Sequence, residues 1–229
     1  MPHDLPGIHN DHNHDDHDHD DHEHDHAHDD HAPIQDGDGP PTRFEILERA
    51  VRELLIDKGV LTAAEIQRQI DNQESRTPAM GAYIVAKAWA DPAFKAALKQ
   101  DAKAAITSLG IDVANTPELQ VLENTDEVHH VVVCTLCSCY PRMILGVPPA
   151  WYKSKAYRSR VVADPRGVLA EFGLKLPERV KTRVFDSTAD MRYLVLPLRP
   201  PGTEGWSEDR LAKLISRDAM IGVAVADTP

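Results

Sequence analysis

Val131-Val132-Val133-Cys134-Thr135-Leu136-Cys137-Ser138-Cys139-Tyr140-Pro141 is the stretch on which the reading of this chain turns. The valines predict a buried strand. The three cysteines that follow are the only ones in 229 residues. In a reducing cytosol such a cluster reads as metal ligands or redox thiols rather than as a disulfide framework. The loop therefore sits at the end of a core strand and carries the chemistry.

The sequence on the two sides of the loop differs in kind. Upstream, Thr42 with Glu45 and Thr62 with Glu65 form capping boxes that open two helices. Phe44, Leu47, Val51, Leu54 and Leu55 repeat at helical spacing in the first, and Gly59 can end it. Pro78 to Trp89 predicts a third helix, and Asp91-Pro92 starts a fourth that runs to Leu109. Residues 42–110 are thus expected to form a helical arm, and Leu54-Leu55-Ile56 gives its first helix a wide apolar face suited to a partner chain. Downstream, Leu119 to Leu122 and His129 to Val133 read as strands. Pro148-Pro149 opens a helix holding Trp151, Tyr152 and Tyr157, and Pro165 to Phe172 forms another. Val180 to Asp186 and Arg192 to Leu198 read as a strand pair. Ser207 caps a last helix through Leu211, Leu214 and Ile215, and Ile221 to Val225 reads as a final strand. The expected fold class is α+β: a helical arm at 42–110, then a mixed α/β layered domain at 111–229 that carries the metal loop. Glycine patterns of dinucleotide and P-loop sites are absent.

Charge is unevenly placed. Residues 1–41 hold thirteen carboxylates, eleven of the thirteen histidines and no Lys or Arg, while the remaining residues balance 24 carboxylates against 25 basic groups. The near-neutral body offers no nucleic-acid footprint. No apolar run is long enough to span a bilayer, no signal peptide is evident, and a cytoplasmic protein is expected. The His/Asp alternation has almost nothing apolar to bury and reads as a disordered tail. Its imidazoles suit a weak, multivalent trap for divalent metal ions, so a metal-handling protein that works through the tail is one reading of the chain.

The cysteines admit three readings. Structural zinc needs four ligands, commonly as two separated pairs; no second pair exists, and zinc would have to recruit His129 or His130, which face opposite ways on a strand. Cys134 and Cys137 form a redox-type CxxC spacing, but Cys139 and Pro141 oppose the helix start such pairs favour. The third reading is a claw. If the sulfurs of Cys137 and Cys139 bind one ion in a plane, the amide nitrogens of Ser138 and Cys139 fall beside it, and Cys134 can add an axial sulfur. Five such donors leave one position open and favour a low-spin trivalent ion, where a Lewis acid can polarise a substrate or activate water.

The run from Val133 to Tyr140 resembles the metal-binding claw of the nitrile hydratase α subunit. Glu123-Asn124-Thr125-Asp126-Glu127-Val128-His129-His130, Pro148-Pro149-Ala150-Trp151-Tyr152-Lys153, Leu196-Pro197-Leu198-Arg199-Pro200-Pro201-Gly202 and Arg217-Asp218-Ala219-Met220-Ile221-Gly222 extend the likeness over about residues 42–225. The resemblance implies hydration of nitriles to amides at one Co(III) per α subunit, held by the sulfurs of Cys134, Cys137 and Cys139 and the amides of Ser138 and Cys139. Cys137 would be a sulfinic acid and Cys139 a sulfenic acid, with the Cys139 sulfenate or an activated water as nucleophile. Catalysis falls to Cys139, Cys137 and Ser138, and Tyr140, Arg142, Trp151 and Tyr152 are candidates for the pocket. The resemblance also implies a β subunit, an αβ pair often doubled to α2β2, and a cobalt metallochaperone. Thr135 and Tyr140 resemble the cobalt subclass rather than the Fe(III) one. Arg142 departs from the usual Trp and is similar to the γ subunit of thiocyanate hydrolase, which converts thiocyanate to carbonyl sulfide and ammonia and is the alternative reading.

Overall fold

The computed structural model describes residues 40–229; the expected disordered tail falls almost wholly outside these. Eleven helices and four strands follow in order among the described residues. Two helices open the fold, α1 (Arg43–Asp57) and α2 (Ala63–Glu74), and both carry the expected reciprocal capping boxes on Thr42 and Thr62. Neither buries a residue. Phe44 at the start of α1 is 80% exposed, and Leu47, Val51 and Leu54 are also exposed.

The rest of the segment behaves differently. Helix α3 (Pro78–Ala90) runs through the core, with Ile84, Val85 and Ala86 fully buried, and each large aliphatic of this kind contributes roughly 1.5–3 kcal/mol. Gly81 lets α3 approach its neighbours closely, since a Cβ there would meet Leu145 Cδ2 at 2.3 Å. The expected helix over 92–109 is two helices, α4 (Pro92–Gln100) and α5 (Ala102–Thr107). Asp101 breaks it. Its backbone is extended, and its side chain accepts from the amide of Ala104 as a new N-cap.

Strands β1 (Glu118–Glu123) and β2 (Val128–Val133) precede the cysteines. Four helices follow: α6 (Arg142–Leu145), α7 (Ala150–Lys153), α8 (Lys155–Ala163) and α9 (Pro165–Glu171). The expected single helix after Pro149 is split at Ser154, whose side chain accepts from the amide of Tyr157 to cap α8. Strands β3 (Lys181–Asp186) and β4 (Met191–Leu196) come next. They do not pair with each other as expected. Instead β3 lies parallel to β2 and β4 parallel to β1, in two two-stranded sheets. A parallel pair needs a crossover of a dozen or more residues. For β2 and β3 that crossover is the cysteine loop together with α6 to α9.

The C-terminus also differs from expectation. Helix α10 (Glu208–Ala212) stops before Leu214, and α11 (Arg217–Ile221) stands where the final strand was expected. Ser216 caps α11, and Gly222 ends it in the left-handed conformation at φ 91°. There a Cβ would lie 1.9 Å from the carbonyl oxygen of His130. Gly222 therefore packs backbone to backbone on β2. Buried side chains from α3, α4, α5, both sheets, α6 to α11 and the loops between them form one core. No helix among the described residues is long and apolar enough to cross a membrane.

Candidate metal centre

Every position of β2 after Val128 is buried, and the strand delivers Cys134 at 1% exposure to the base of the loop. Cys139 is half-buried and Cys137 exposed, with Leu136 at the tip 90% exposed. The Cys137 sulfur lies 3.3 Å from that of Cys134 and 3.2 Å from that of Cys139. The Cys137 amide donates to the Cys134 sulfur at 3.3 Å. All three sulfurs fall within 4.8 Å of one another, the one such group of potential metal ligands among the described residues. Hydrogen bonds from the Cys139 and Cys134 thiols, with smaller help from the backbone amides of Cys139 and Ser138, lower the Cys137 thiol to about 7. Burial, and then the Cys137 neighbour, push Cys139 up to about 12. The three clustered sulfurs form a donor set that fits a thiophilic transition-metal ion.

The loop is tied down from three sides. Asp186, at the end of β3 opposite Val133, accepts from the Thr135 amide at 3.0 Å and the Thr135 hydroxyl at 2.5 Å. Arg158 on α8 donates to the carbonyls of Thr135 and Cys137 at 3.4 and 3.1 Å. Tyr152 on α7, fully buried, donates its hydroxyl to the Cys139 carbonyl at 2.8 Å. Burial raises the Tyr152 phenol far above its ordinary range, so it serves as a hydrogen-bond donor rather than as a base. Asp186 and Arg158 were not singled out from the sequence. Only the parallel β2–β3 register brings Asp186 beside Thr135, and no local pattern records that pairing.

The other expected pocket residues divide. Trp151 stands half-buried in an aromatic cluster, its ring 4.9 Å from Tyr157 and 4.8 Å from Phe172 in edge-on contacts. Tyr140 is buried, its hydroxyl lacks a hydrogen-bond partner among the described residues, and its ring meets Tyr152 edge-on at 5.0 Å. Arg142 is exposed at the start of α6. Tyr140 and Arg142 line a hollow of about 320 Å³ beside the claw, together with Arg76, Arg192, Gln69 and Asn72.

The histidines stand apart from the thiols. His129 Nε2 lies 2.7 Å from the Gly222 carbonyl and its Nδ1 3.1 Å from Asn124 Nδ2. His130 Nδ1 lies 3.1 Å from Asn124 Oδ1. A carbonyl can only accept, so His129 carries its proton on Nε2, and Asn124 Oδ1 places the His130 proton on Nδ1. Neither ring falls among the clustered ligand atoms, so neither joins the sulfurs as a fourth zinc ligand. The loop from Cys134 to Cys137 also opens no helix of the kind a redox pair uses.

Comparison with known proteins bears on the same residues. The family model for the nitrile hydratase alpha chain matches residues 42–224. The chain is 50% identical over 190 residues to the high-molecular weight cobalt-containing nitrile hydratase subunit alpha of Rhodococcus rhodochrous, a match covering 82% of this chain and 94% of that one. It is 48% identical over 193 residues to the thiocyanate hydrolase subunit gamma of Thiobacillus thioparus, covering 80% and 79%. Among solved structures, a recombinant thiocyanate hydrolase with partially modified cobalt centres matches with a TM-score of 0.77 at 47% identity, over 82% of this chain and 92% of that one.

Proposed function

Because the chain belongs to the nitrile hydratase alpha-chain family, we propose that it is the catalytic α subunit of an enzyme that hydrates nitriles to amides with cobalt in the claw. The observation that carries this reading is the convergence of three sulfurs within 4.8 Å at the end of a buried strand. The sulfurs of Cys134, Cys137 and Cys139 and the amides of Ser138 and Cys139 would hold the ion. Bound there, low-spin Co(III), one per α subunit, would act as a Lewis acid that polarises the C≡N bond. Fe(III) would accept the same donors, but Thr135, Tyr140 and the cobalt-named relative favour cobalt.

Burial supports a division of labour among the sulfurs. Cys134 is shielded and would stay a thiolate, while the more open Cys139 and Cys137 would take one and two oxygen atoms from an external oxidant such as dioxygen, since susceptibility to oxidation follows exposure. A water oriented by the Cys139 sulfenate would add to the nitrile carbon and give an imidic acid that tautomerises to the amide. Were the sulfenate oxygen itself to attack, a water would then have to cleave the adduct, releasing the same imidic acid and restoring the sulfenate. Asp186, Arg158 and Tyr152 fix the loop backbone while the sulfurs change chemistry. A β subunit would cover the exposed apolar face of α1 and close the site, in an αβ or α2β2 assembly loaded by a cobalt chaperone. The His/Asp-rich tail is then an accessory metal trap. Removing residues 1–41 should leave hydration intact at full cobalt loading and lower loading only when cobalt is scarce. Loss of hydration at full loading would instead make the tail the working part.

A second reading, the γ subunit of a thiocyanate hydrolase, is favoured by Arg142, because a guanidinium beside the claw suits an anionic substrate. A paired assay on the purified complex separates the two. Amide from a nitrile with little carbonyl sulfide from thiocyanate supports the hydratase, and the reverse product ratio overturns it.

A further inference from the structure

The hollow beside the claw is lined by three arginines, Arg76, Arg142 and Arg192, and by no Asp or Glu. None of the three forms an ion pair with a carboxylate among the described residues. Arg76 donates to the carbonyls of Met143 and Asp112, at 2.9 and 3.2 Å, and reaches Asn72 Oδ1 at 3.4 Å. The Asp112 carboxylate is itself turned to the amide of Ala114. Arg192 places Nη1 on the carbonyls of Thr188, Ala189 and Met191. Carbonyl dipoles fix these two guanidiniums without cancelling their charge. The Arg142 side chain forms no hydrogen bond or ion pair among the described residues. Three uncompensated cations thus face one cavity of about 320 Å³, whose remaining polar lining includes the amide side chains of Gln69 and Asn72. The hollow adjoins the reacting loop. Tyr140 follows Cys139 directly and lines it.

We propose that this hollow is a carboxylate-binding subsite next to the claw, with the unpaired Arg142 side chain as the recognition arm and Arg192 and Arg76 as fixed charges. Guanidinium geometry matches a carboxylate in a two-bond fork, and such charge-assisted bonds are about twice as strong as neutral ones. The carboxylate can be the far end of a nitrile substrate or a separate small anion, and the two sources are separable. The kinetic arm of the test rests on the hydratase reading; the binding arm does not.

In the purified, cobalt-loaded αβ complex, kcat/KM is measured for cyanoacetate and for cyanoacetamide, its neutral counterpart of the same shape. Acetate binding is measured by calorimetry at constant ionic strength. Arg142→Gln should lower the cyanoacetate-to-cyanoacetamide ratio about tenfold and weaken acetate binding by a similar factor. Arg192→Gln should act in the same direction, with thermal midpoints checking that both variants fold. A change in the acetate arm alone identifies a free anion as the ligand, and a change in both arms identifies the substrate's own charge. An unchanged ratio together with unchanged acetate affinity overturns the proposal, as does a native complex that binds no acetate. If the complex hydrates neither nitrile, the hydratase reading fails, and the acetate arm still decides whether the subsite exists.

Discussion

The claw and the arm are held by opposite means. The claw loop has an exposed tip, yet it grows from a strand buried at every position after Val128 and is tied by Asp186, Arg158 and Tyr152, residues 51, 21 and 13 positions away from their partners. Helices α1 and α2 open on local capping boxes that span three residues each, and neither helix buries a residue. A reactive loop must keep its geometry without help from a substrate, so it borrows rigidity from the core. The arm leaves an apolar face open, the face proposed above to meet a β subunit. The contrast predicts that damage to long-range ties in the claw disturbs metal and chemistry, whereas damage to local ties in the arm is felt only there.

The largest effect is expected at Asp186. Asp186→Ala removes both acceptors of Thr135 and should cost about 10–100-fold in metal occupancy or turnover, as for other groups that orient ligands. Metal analysis and kcat on the same αβ preparation read this, and full occupancy with native turnover would break the contrast. Tyr152→Phe comes next. It leaves the Cys139 carbonyl without its donor in a buried setting, at about 1–3 kcal/mol, read as a lowered midpoint in denaturant unfolding of the complex. An unchanged midpoint would remove Tyr152 from the claw's support.

The third test concerns the strand beneath the claw. Burial lowers the pKa of His129 and of His130, with Arg183 adding to the effect at His130. Unfolded histidine titrates near about 6.5. Below that pH the unfolded chain takes up protons that the folded chain resists, so stability is full above about 6.5 and declines as pH falls toward the folded values. The thermal midpoint should fall between about pH 6.5 and 5.5, and a flat profile would contradict the buried, neutral pair. The smallest effect is at the arm. Thr42→Ala removes one capping box and should cost about 1 kcal/mol. It should speed amide exchange across Arg43–Asp57 and leave the global midpoint unchanged. A drop in that midpoint would mean that the arm belongs to the core's cooperative unit.

What was legible in the sequence follows the same division. Capping boxes, proline starts and the cysteine run are local signals, and they foretold α1, α2, α3 and the cysteine cluster. Signals of equal locality were present but weaker at Asp101 and Ser154, where a polar side chain captures a backbone amide and splits a helix in two. The pairing of β2 with β3 was not legible, because the short turn between β3 and β4 suggests a hairpin while burial of β2 selects a distant parallel neighbour. Asp186 and the arginine-lined hollow went unseen for that reason. Both are assembled only when segments about fifty or more positions apart meet. At the C-terminus the apolar run after Met220 suggested a strand, but the Ser216 cap and the left-handed Gly222 make it a helix end against β2.

The central claim is that the three cysteines form an oxidised cobalt claw. Metal analysis of the purified complex, combined with peptide mass across Cys134–Cys139, tests it most directly. One cobalt per α subunit is expected, with one added oxygen on Cys139, two on Cys137 and none on Cys134. Unmodified thiols with zinc in active enzyme would contradict it.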